Sequence, residues 1–222
     1  MMDKVITAIR VQKRNPERLN IELDGEFAFG LSRITGAWLK TGDQLSEEKI
    51  ARLLSDEGFE AAYQRAVSLI NHRPRTEKEI RKRLTDKGIP DELIDRVLER
   101  LRSAKLVQDE QYARMWVENR VEMHPRSRRL IRYELFNKGI SDEDIERAVD
   151  NLEDDDALAR EAAVRYERRL TGCDRLSYVK KLSGHLARRG FTYQTVAPIV
   201  KDLWERRESD AGISKPIKDD KK

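Results

Sequence analysis

The sequence contains few of the residues that most often carry out chemistry. It has one cysteine, Cys173, and three histidines among 222 residues. A single cysteine cannot build an intramolecular disulfide framework or a multi-cysteine metal site, and it favours a reducing compartment. The histidines, His72, His124 and His185, have no cysteine or paired carboxylate at ligand spacing. The sequence therefore predicts a protein that is not an enzyme and that holds no metal and no cofactor.

Long apolar runs are also absent. No stretch approaches the roughly 20 apolar residues that span a bilayer. The first residues, Met1 to Lys4, lack the apolar core of a signal peptide. Aromatic residues are 6% of the chain, so base stacking by Tyr133, Tyr178 and Tyr193 has only modest support, although basic residues lie near them. These features predict a folded cytoplasmic protein with no membrane contact. We also expect it to be a monomer.

Charge is abundant but unevenly placed. The net charge is only +4, from 45 basic and 41 acidic residues. Residues 1–60 carry 9 basic and 11 acidic side chains, whereas residues 157–207 carry 12 basic and 5 acidic ones. This concentration of positive charge near the end of the chain is typical of an electrostatic contact with nucleic acid.

The most informative feature that is present is a repeat with a period of 51 residues. The positions that recur at this spacing are Leu84, Leu135 and Leu186; Gly88, Gly139 and Gly190; Ile94, Ile145 and Val196; and Leu101, Leu152 and Leu203. A fixed period indicates one structural unit that is repeated several times. Such units stack on one another because a single unit cannot bury its apolar face. The repeat predicts an elongated array that grips an extended partner.

Each repeat is predicted to form three helices. The predicted helices of the first repeat are 59–71, 77–87 and 91–103, and helix one of the later repeats is 109–122 and 157–170. Gly88 is predicted to be left-handed just past helix two, with Leu84 and Ile89 as the apolar pair that accompanies this helix stop. The same trio recurs in the other two repeats, so the turn is a repeated element.

The first part of the chain has a different pattern. Apolar residues alternate with polar ones before and after Asp24-Gly25, which predicts strands joined by a tight hairpin turn. A helix is predicted to begin at Ser46 and to run toward Asp56. Together these features predict a small β-rich module.

The predicted fold is mainly α, with three tandem three-helix repeats in an elongated array behind a β-rich N-terminal module. The predicted domains are the module, 1–58; repeat 1, 59–106; repeat 2, 107–154; repeat 3, 155–207; and a disordered tail, 208–222.

Helix two and the loop before it are basic, whereas helix three begins with acidic residues, as at Asp91 and Asp142. Carboxylates at the start of helix three disfavour a base-reading helix-turn-helix. Stacked repeats would place the basic helices along one face, suited to a regular polyanion. The predicted filament-binding and nucleic-acid-binding residues are Arg75, Arg81, Arg126, Arg128, Arg129, Arg132, Lys180, Lys181, Arg188 and Arg189.

The sequence resembles the RecX family, the bacterial regulators of the RecA recombinase. The resemblance rests on the recurring Leu-x-x-Lys/Arg-Gly-apolar turn, the apolar stripe of helix three, the link Lys105–Ala113 and the strand segment Leu23–Gly30. It covers about residues 4–206. It implies a non-enzymatic modulator that lies in the groove of the RecA–single-stranded DNA filament and restrains strand exchange, ATP hydrolysis and coprotease activity, and hence recombination, repair and the SOS response.

Two other functions stay open on the residues alone. One is a general nucleic-acid-binding protein without a specific contact to RecA, and the other is a protein-binding scaffold whose charges confer solubility. Any affinity for single-stranded DNA is expected to be weak and directed at the backbone.

Overall fold

A computed structural model describes the backbone of residues 3–213 and the side chains of residues 3–210. The fold is mainly helical with an antiparallel sheet near the N-terminus, as the sequence predicts. The strands are β1 (Lys4–Gln12), β2 (Asn15–Leu23), β3 (Glu26–Ser32) and β4 (Gln44–Leu45). The helices are α1 (Arg33–Gly36), α2 (Glu47–His72), α3 (Glu77–Thr85), α4 (Asp91–Ser103), α5 (Asp109–Met123), α6 (Arg128–Asn137), α7 (Asp142–Val149), α8 (Asp155–Glu167), α9 (Arg175–Arg188) and α10 (Tyr193–Ile213).

The sheet has the strand order β3-β2-β1-β4, and its neighbouring strands are antiparallel. The turn between β2 and β3 places Asp24 at φ 52° and Gly25 at φ 92°. Two successive positive φ values give the tight hairpin turn that the sequence predicts. The inner face of the sheet buries Ile6, Ile21 and Leu31 completely.

Helix α2 corrects one prediction. A helix from Ser46 toward Asp56 and a second one over 59–71 were expected, but α2 is continuous from Glu47 to His72. Glu57 and Gly58 separate the two predicted segments, and a glycine costs a helix interior about 1 kcal/mol, which is too little to end it.

This continuous helix joins the sheet to the first three-helix core. Leu53 packs in the core beneath the sheet, whereas Ala62 and Ala66 pack against α3 and α4. The predicted domain boundary at residue 58 therefore lies inside one helix.

Residues before and after the boundary between Gln108 and Asp109 form two compact units. The first contains the sheet and α1–α4, and the second contains α5–α10. Each helix trio has its own core, built from the recurring apolar positions. The equivalent buried residues of helix two are Ile80 and Leu84, Ile131 and Leu135, and Leu182 and Leu186.

The turn after helix two is confirmed in all three repeats. Gly88, Gly139 and Gly190 have φ values of 73°, 84° and 89°. In the first repeat the Ile89 amide donates to the Leu84 carbonyl at 3.2 Å, and the Gly88 amide donates to Thr85 at 2.9 Å. These two hydrogen bonds define the Schellman helix stop, and the other repeats make the same pair.

The third repeat departs from the other two at both ends. Helix α9 begins one turn earlier than the period predicts, because Asp174 caps it by accepting from the Ser177 amide at 3.0 Å. Helix α10 continues to Ile213, which places residues 208–213 in a helix rather than in the predicted disordered tail. The rest of that predicted tail lies outside the described residues.

Candidate functional site

Several of the predicted binding arginines hold the fold together. The Arg75 Nε donates to the Leu69 carbonyl near the end of α2 at 3.0 Å. The Arg128 Nη2 donates to the carbonyl of Val149, the last residue of α7, at 2.8 Å. Each of these side chains satisfies carbonyl groups that a helix leaves without internal partners. In the folded chain these two side chains therefore stabilise helix ends, and their guanidinium groups are already hydrogen-bonded within the protein.

A second group of predicted residues is neutralised by carboxylates of helix three. Arg132 makes two hydrogen bonds of 2.8 Å to the Glu146 carboxylate, and Arg81 pairs with Asp95. The hydrogen bond to Glu146 raises the pKa of Arg132. Both pairs link helix two to helix three at positions 51 residues apart, so they are one repeated structural contact.

Four of the six remaining predicted cations are exposed. We call Arg129, Lys180, Lys181 and Arg188 the cationic face. No ion pair to a carboxylate of the described residues holds any of them. Arg129 donates a 3.4 Å hydrogen bond to the Gly190 carbonyl, and Lys181 Nζ lies 3.5 Å from Cys173 Sγ. These side chains are available to a polyanion.

Two members of the cationic face, Arg129 and Arg188, lie where repeats 2 and 3 join, inside the second unit. The Ser127 amide, at the start of α6, donates to the Arg189 carbonyl, at the end of α9, at 3.0 Å. The Arg189 Nη1 in turn donates to the Pro125 carbonyl at 3.0 Å. These bonds bring the start of α6, with Arg129, beside the end of α9, with Arg188.

Like charges crowd this joint. Desolvation lowers the pKa of Arg189, and the neighbouring Arg165 and Arg169 lower it further. Desolvation also lowers the pKa of Arg126, with added effects from Arg120 and Arg189. Charges that depress each other's pKa create a field that attracts anions. The sequence prediction included Arg126 and Arg189 but missed the other three.

Glu134 is the carboxylate that pairs with Arg126 beside this joint. It also accepts 2.8 Å and 2.9 Å hydrogen bonds from Arg120 Nε and Trp116 Nε1. Arg126, a predicted binding residue, is therefore held by Glu134.

His185 lies among the arginines of the joint between repeats 2 and 3. Its ring stacks on Tyr166 with centroids 3.8 Å apart, and its Nε2 accepts a 2.8 Å hydrogen bond from Arg189 Nε. Desolvation, then Arg189, Arg188 and Arg169, lower the pKa of His185 to about 4. The imidazole is therefore neutral at physiological pH.

We expect His185 to make folding sensitive to mild acid. Below pH 6.5 the unfolded chain binds a proton that the folded chain excludes until about pH 4, so stability is lost across this window. The H185Q variant keeps an acceptor for Arg189 but cannot titrate. Urea unfolding at several pH values should therefore show the advantage of wild type over H185Q shrinking from pH 7 to pH 4.5. A difference that stays constant would contradict this proton linkage.

Other sites of chemistry are limited in the described residues. They contain no group of three or more His, Cys, Asp or Glu residues placed to hold a metal ion. No described helix is long and apolar enough to cross a bilayer. A cleft of about 460 Å³ beside β2, β3 and α2 contains buried Glu57 and Glu60, but Arg18 and Arg100 pair with these carboxylates at 2.9 Å and 3.1 Å.

The tyrosines named from the sequence divide into two kinds. Tyr178 is fully buried, and its hydroxyl donates to Glu167 at 2.7 Å, so it belongs to the core of the third trio. Tyr133 and Tyr193 are 63% and 83% exposed.

Comparison with known proteins gives one consistent result. Models of the regulatory protein RecX match as its N-terminal domain (residues 4–46), its first three-helix domain (62–101) and its second three-helix domain (109–149). The chain is 30% identical to the regulatory protein RecX of Clostridioides difficile, over 93% of this chain and 99% of that one. It is 34% identical to that of Levilactobacillus brevis, over 90% and 76%.

Solved structures show the same likeness. A crystal structure of regulatory protein RecX superposes with a TM-score of 0.69 at 28% identity, covering 90% of this chain and 99% of the other. The structure of RecX from Lactobacillus salivarius shares the fold, with a TM-score of 0.55 at 22% identity, over 67% of this chain and 97% of that one.

Proposed function

The chain belongs to the RecX family of regulatory proteins, and on that premise we propose that it binds the filament of RecA on single-stranded DNA and restrains RecA there. It acts as a regulator without catalysis of its own, as a cytoplasmic monomer, in recombination, DNA repair and the SOS response. Its targets are the ATP hydrolysis, strand exchange and coprotease activities of RecA.

The cationic face is the observation that supports this proposal best. Two members of this face, Arg129 and Lys180, occupy the same position of helix two in the second and third repeats, 51 residues apart. Lys78 occupies that position in the first repeat. A cation that recurs at one register is suited to a partner whose phosphates also recur. In the second unit Arg129 reaches Gly190, close in sequence to Arg188, so two repeats contribute to one surface.

The proposed contact is to phosphates rather than to base edges. Helix three begins with Asp142 and Glu143 in the second repeat, and these carboxylates would face the DNA in a helix-turn-helix docking. Phosphate contacts position a protein on nucleic acid without reading its sequence. The binding is therefore expected to be independent of base sequence and sensitive to salt.

Neutralising the cationic face tests the proposal. We expect the double variant K180Q/R188Q to inhibit RecA-dependent ATP hydrolysis on single-stranded DNA less than wild type at sub-stoichiometric amounts. Each lost phosphate contact should reduce the logarithmic salt slope of single-strand binding by about 0.7. Both side chains are exposed, so the free energy of unfolding should change by no more than about 0.5 kcal/mol.

Two matched variants serve as controls. Arg65 is exposed on α2 of the first unit, outside the cationic face, so R65Q should leave both readouts unchanged. Glu146 already neutralises Arg132, so R132Q should reduce the slope less than R129Q. Unchanged ATPase inhibition and an unchanged salt slope in K180Q/R188Q would exclude Lys180 and Arg188 from the binding surface.

General nucleic-acid binding is the alternative function. It is favoured by the cationic face itself, because exposed cations attract any polyanion. Titration against RecA without DNA separates the two functions. Affinity in that titration supports a specific contact with RecA, whereas inhibition that is overcome by excess single-stranded DNA, with no affinity for RecA alone, supports competition for DNA.

A further inference from the structure

Helix α6 exposes two aromatic side chains that lie outside the hydrophobic core of the second repeat. Tyr133 and Phe136 are 63% and 61% exposed, although the same helix buries Ile131 and Leu135 completely. Positions 133 and 136 are three residues apart and therefore neighbours on the helix surface. They form an exposed aromatic patch on one face of the helix.

The other repeats show that the trio does not need aromatics at these positions. One period earlier the residues are Lys82 and Thr85, and one period later they are Gly184 and Ala187. All three trios nevertheless form complete cores. The aromatic pair is therefore a property of the second repeat, and packing does not explain it.

The patch lies beside one cation of the cationic face. Arg129 precedes Tyr133 by one helical turn and belongs to the cationic face. The one carboxylate of α6, Glu134, is held on another side by Arg120 and Arg126. A ligand on this helix face would therefore meet aromatic rings and a guanidinium without a competing carboxylate of α6.

We propose that Tyr133 and Phe136 are a stacking platform for unpaired bases, which makes the surface selective for single-stranded over duplex DNA. This inference rests on the proposed binding of DNA by the same unit. A base presents its flat face to an aromatic ring only when it is not stacked in a duplex. Arg129 would contact the phosphate beside the stacked base, so base and backbone are bound together.

The test is direct binding of a fluorescent thymidine oligonucleotide, without RecA, compared with binding of a duplex. The double variant Y133A/F136A should weaken single-strand binding at least about fivefold, since stacking on one aromatic side chain contributes on that scale. Duplex binding should not change. The salt slope should also stay the same, because no charge is removed.

Three controls sharpen the result. Y193A removes another exposed tyrosine, 83% accessible, outside the patch and should bind like wild type. Y133F/F136Y keeps both rings and should also bind like wild type. An oligonucleotide of abasic residues keeps its phosphates but has no bases, so wild type should bind it only as tightly as Y133A/F136A binds thymidine.

Two results with DNA alone would overturn the inference. One is an equal loss of single-strand and duplex affinity in Y133A/F136A, and the other is wild-type affinity for the abasic strand equal to that for thymidine. Weaker RecA binding without DNA in the double variant, with single-strand affinity intact, would also overturn it and would assign the patch to a protein contact. Inhibition of RecA ATP hydrolysis is measured separately, so failure of the platform and failure of the proposed function are distinguishable.

Discussion

The Gly190→Ala substitution is expected to lower the free energy of unfolding of the second unit by about 3 kcal/mol, by combining backbone strain with a steric clash. Gly190 has φ +89°, a left-handed conformation that costs a residue with a side chain roughly 1–2 kcal/mol. A Cβ at this position would lie 2.4 Å from Ser127 Oγ and 2.7 Å from Leu130 Cβ. Overpacking of this kind costs about 1–3 kcal/mol more.

The chain contains a matched control for this prediction. Gly88 occupies the equivalent turn of the first repeat with φ +73°, but a Cβ there would have nothing within 4 Å. The Gly88→Ala substitution should therefore cost the first unit only the strain, about 1 kcal/mol. Equal losses in the two variants would mean that Ser127 and Leu130 move aside without cost.

Hydrogen exchange gives a local measurement of the same effect. The Ser127 amide donates to the Arg189 carbonyl at the joint between repeats 2 and 3. A displaced Gly190 turn weakens this bond, so the Ser127 amide should exchange faster in G190A. It should exchange at the wild-type rate in G88A. The joint depends on a glycine for close approach, whereas the turn itself needs only the left-handed conformation.

The turns could be predicted from sequence because their causes are local. A glycine, an apolar residue after it and a leucine four residues before it specify the helix stop, and the period supplied three independent examples. The bounds of α4, Asp91–Ser103, were predicted without error for the same reason: acidic residues begin it and an apolar stripe continues to Leu101. The merging of two predicted helices into α2 could not be predicted, because Gly58 permits either outcome.

The predicted binding surface was less accurate than the fold because the sequence shows charges but not their partners. Arg189 donates to the Pro125 carbonyl, 64 residues away along the chain, and no local pattern indicates such a bond. The partner of Arg132 left a signal that could have been read. Arg81 and Arg132 face Asp95 and Glu146 one period apart.

The third repeat completes that signal, since both charges disappear together. The equivalents of Arg132 and Glu146 there are Ser183 and Ala197. Joint presence or joint absence across internal repeats is the pattern expected of a structural ion pair. A cation that recurs without an equivalent acidic residue, as at Arg129 and Lys180, is the better candidate for an external contact.

Loss of the Glu134 carboxylate is expected to have the second large effect. Glu134→Ala should lower the free energy of unfolding of the second unit by about 2–4 kcal/mol, because removing one partner from a largely buried ion pair leaves the others uncompensated. The side chains of Glu134 and Arg120 are only 13% and 14% exposed, and Arg126 is 31% exposed. The Trp116 indole N–H loses its acceptor as well.

Charge and shape can be separated at this position. Glu134→Gln keeps the size of the side chain and one acceptor, so it should restore part of the loss from hydrogen bonding but none of the charge compensation. Glu143→Gln is the control, since that side chain is 81% exposed and should change stability by less than about 0.5 kcal/mol. Urea unfolding monitored by tryptophan fluorescence measures all three variants.

Salt identifies the cause of the Glu134 effect. Without this carboxylate, Arg120, Arg126 and Arg189 repel one another. Desolvation lowers the pKa of Arg126 most, and Arg120 and Arg189 lower it further even with Glu134 present. Added salt screens repulsion between partly exposed charges, so the stability deficit of Glu134→Ala relative to wild type should narrow at high ionic strength. A deficit that is independent of salt would mean that Glu134 acts through packing and its hydrogen bond to Trp116.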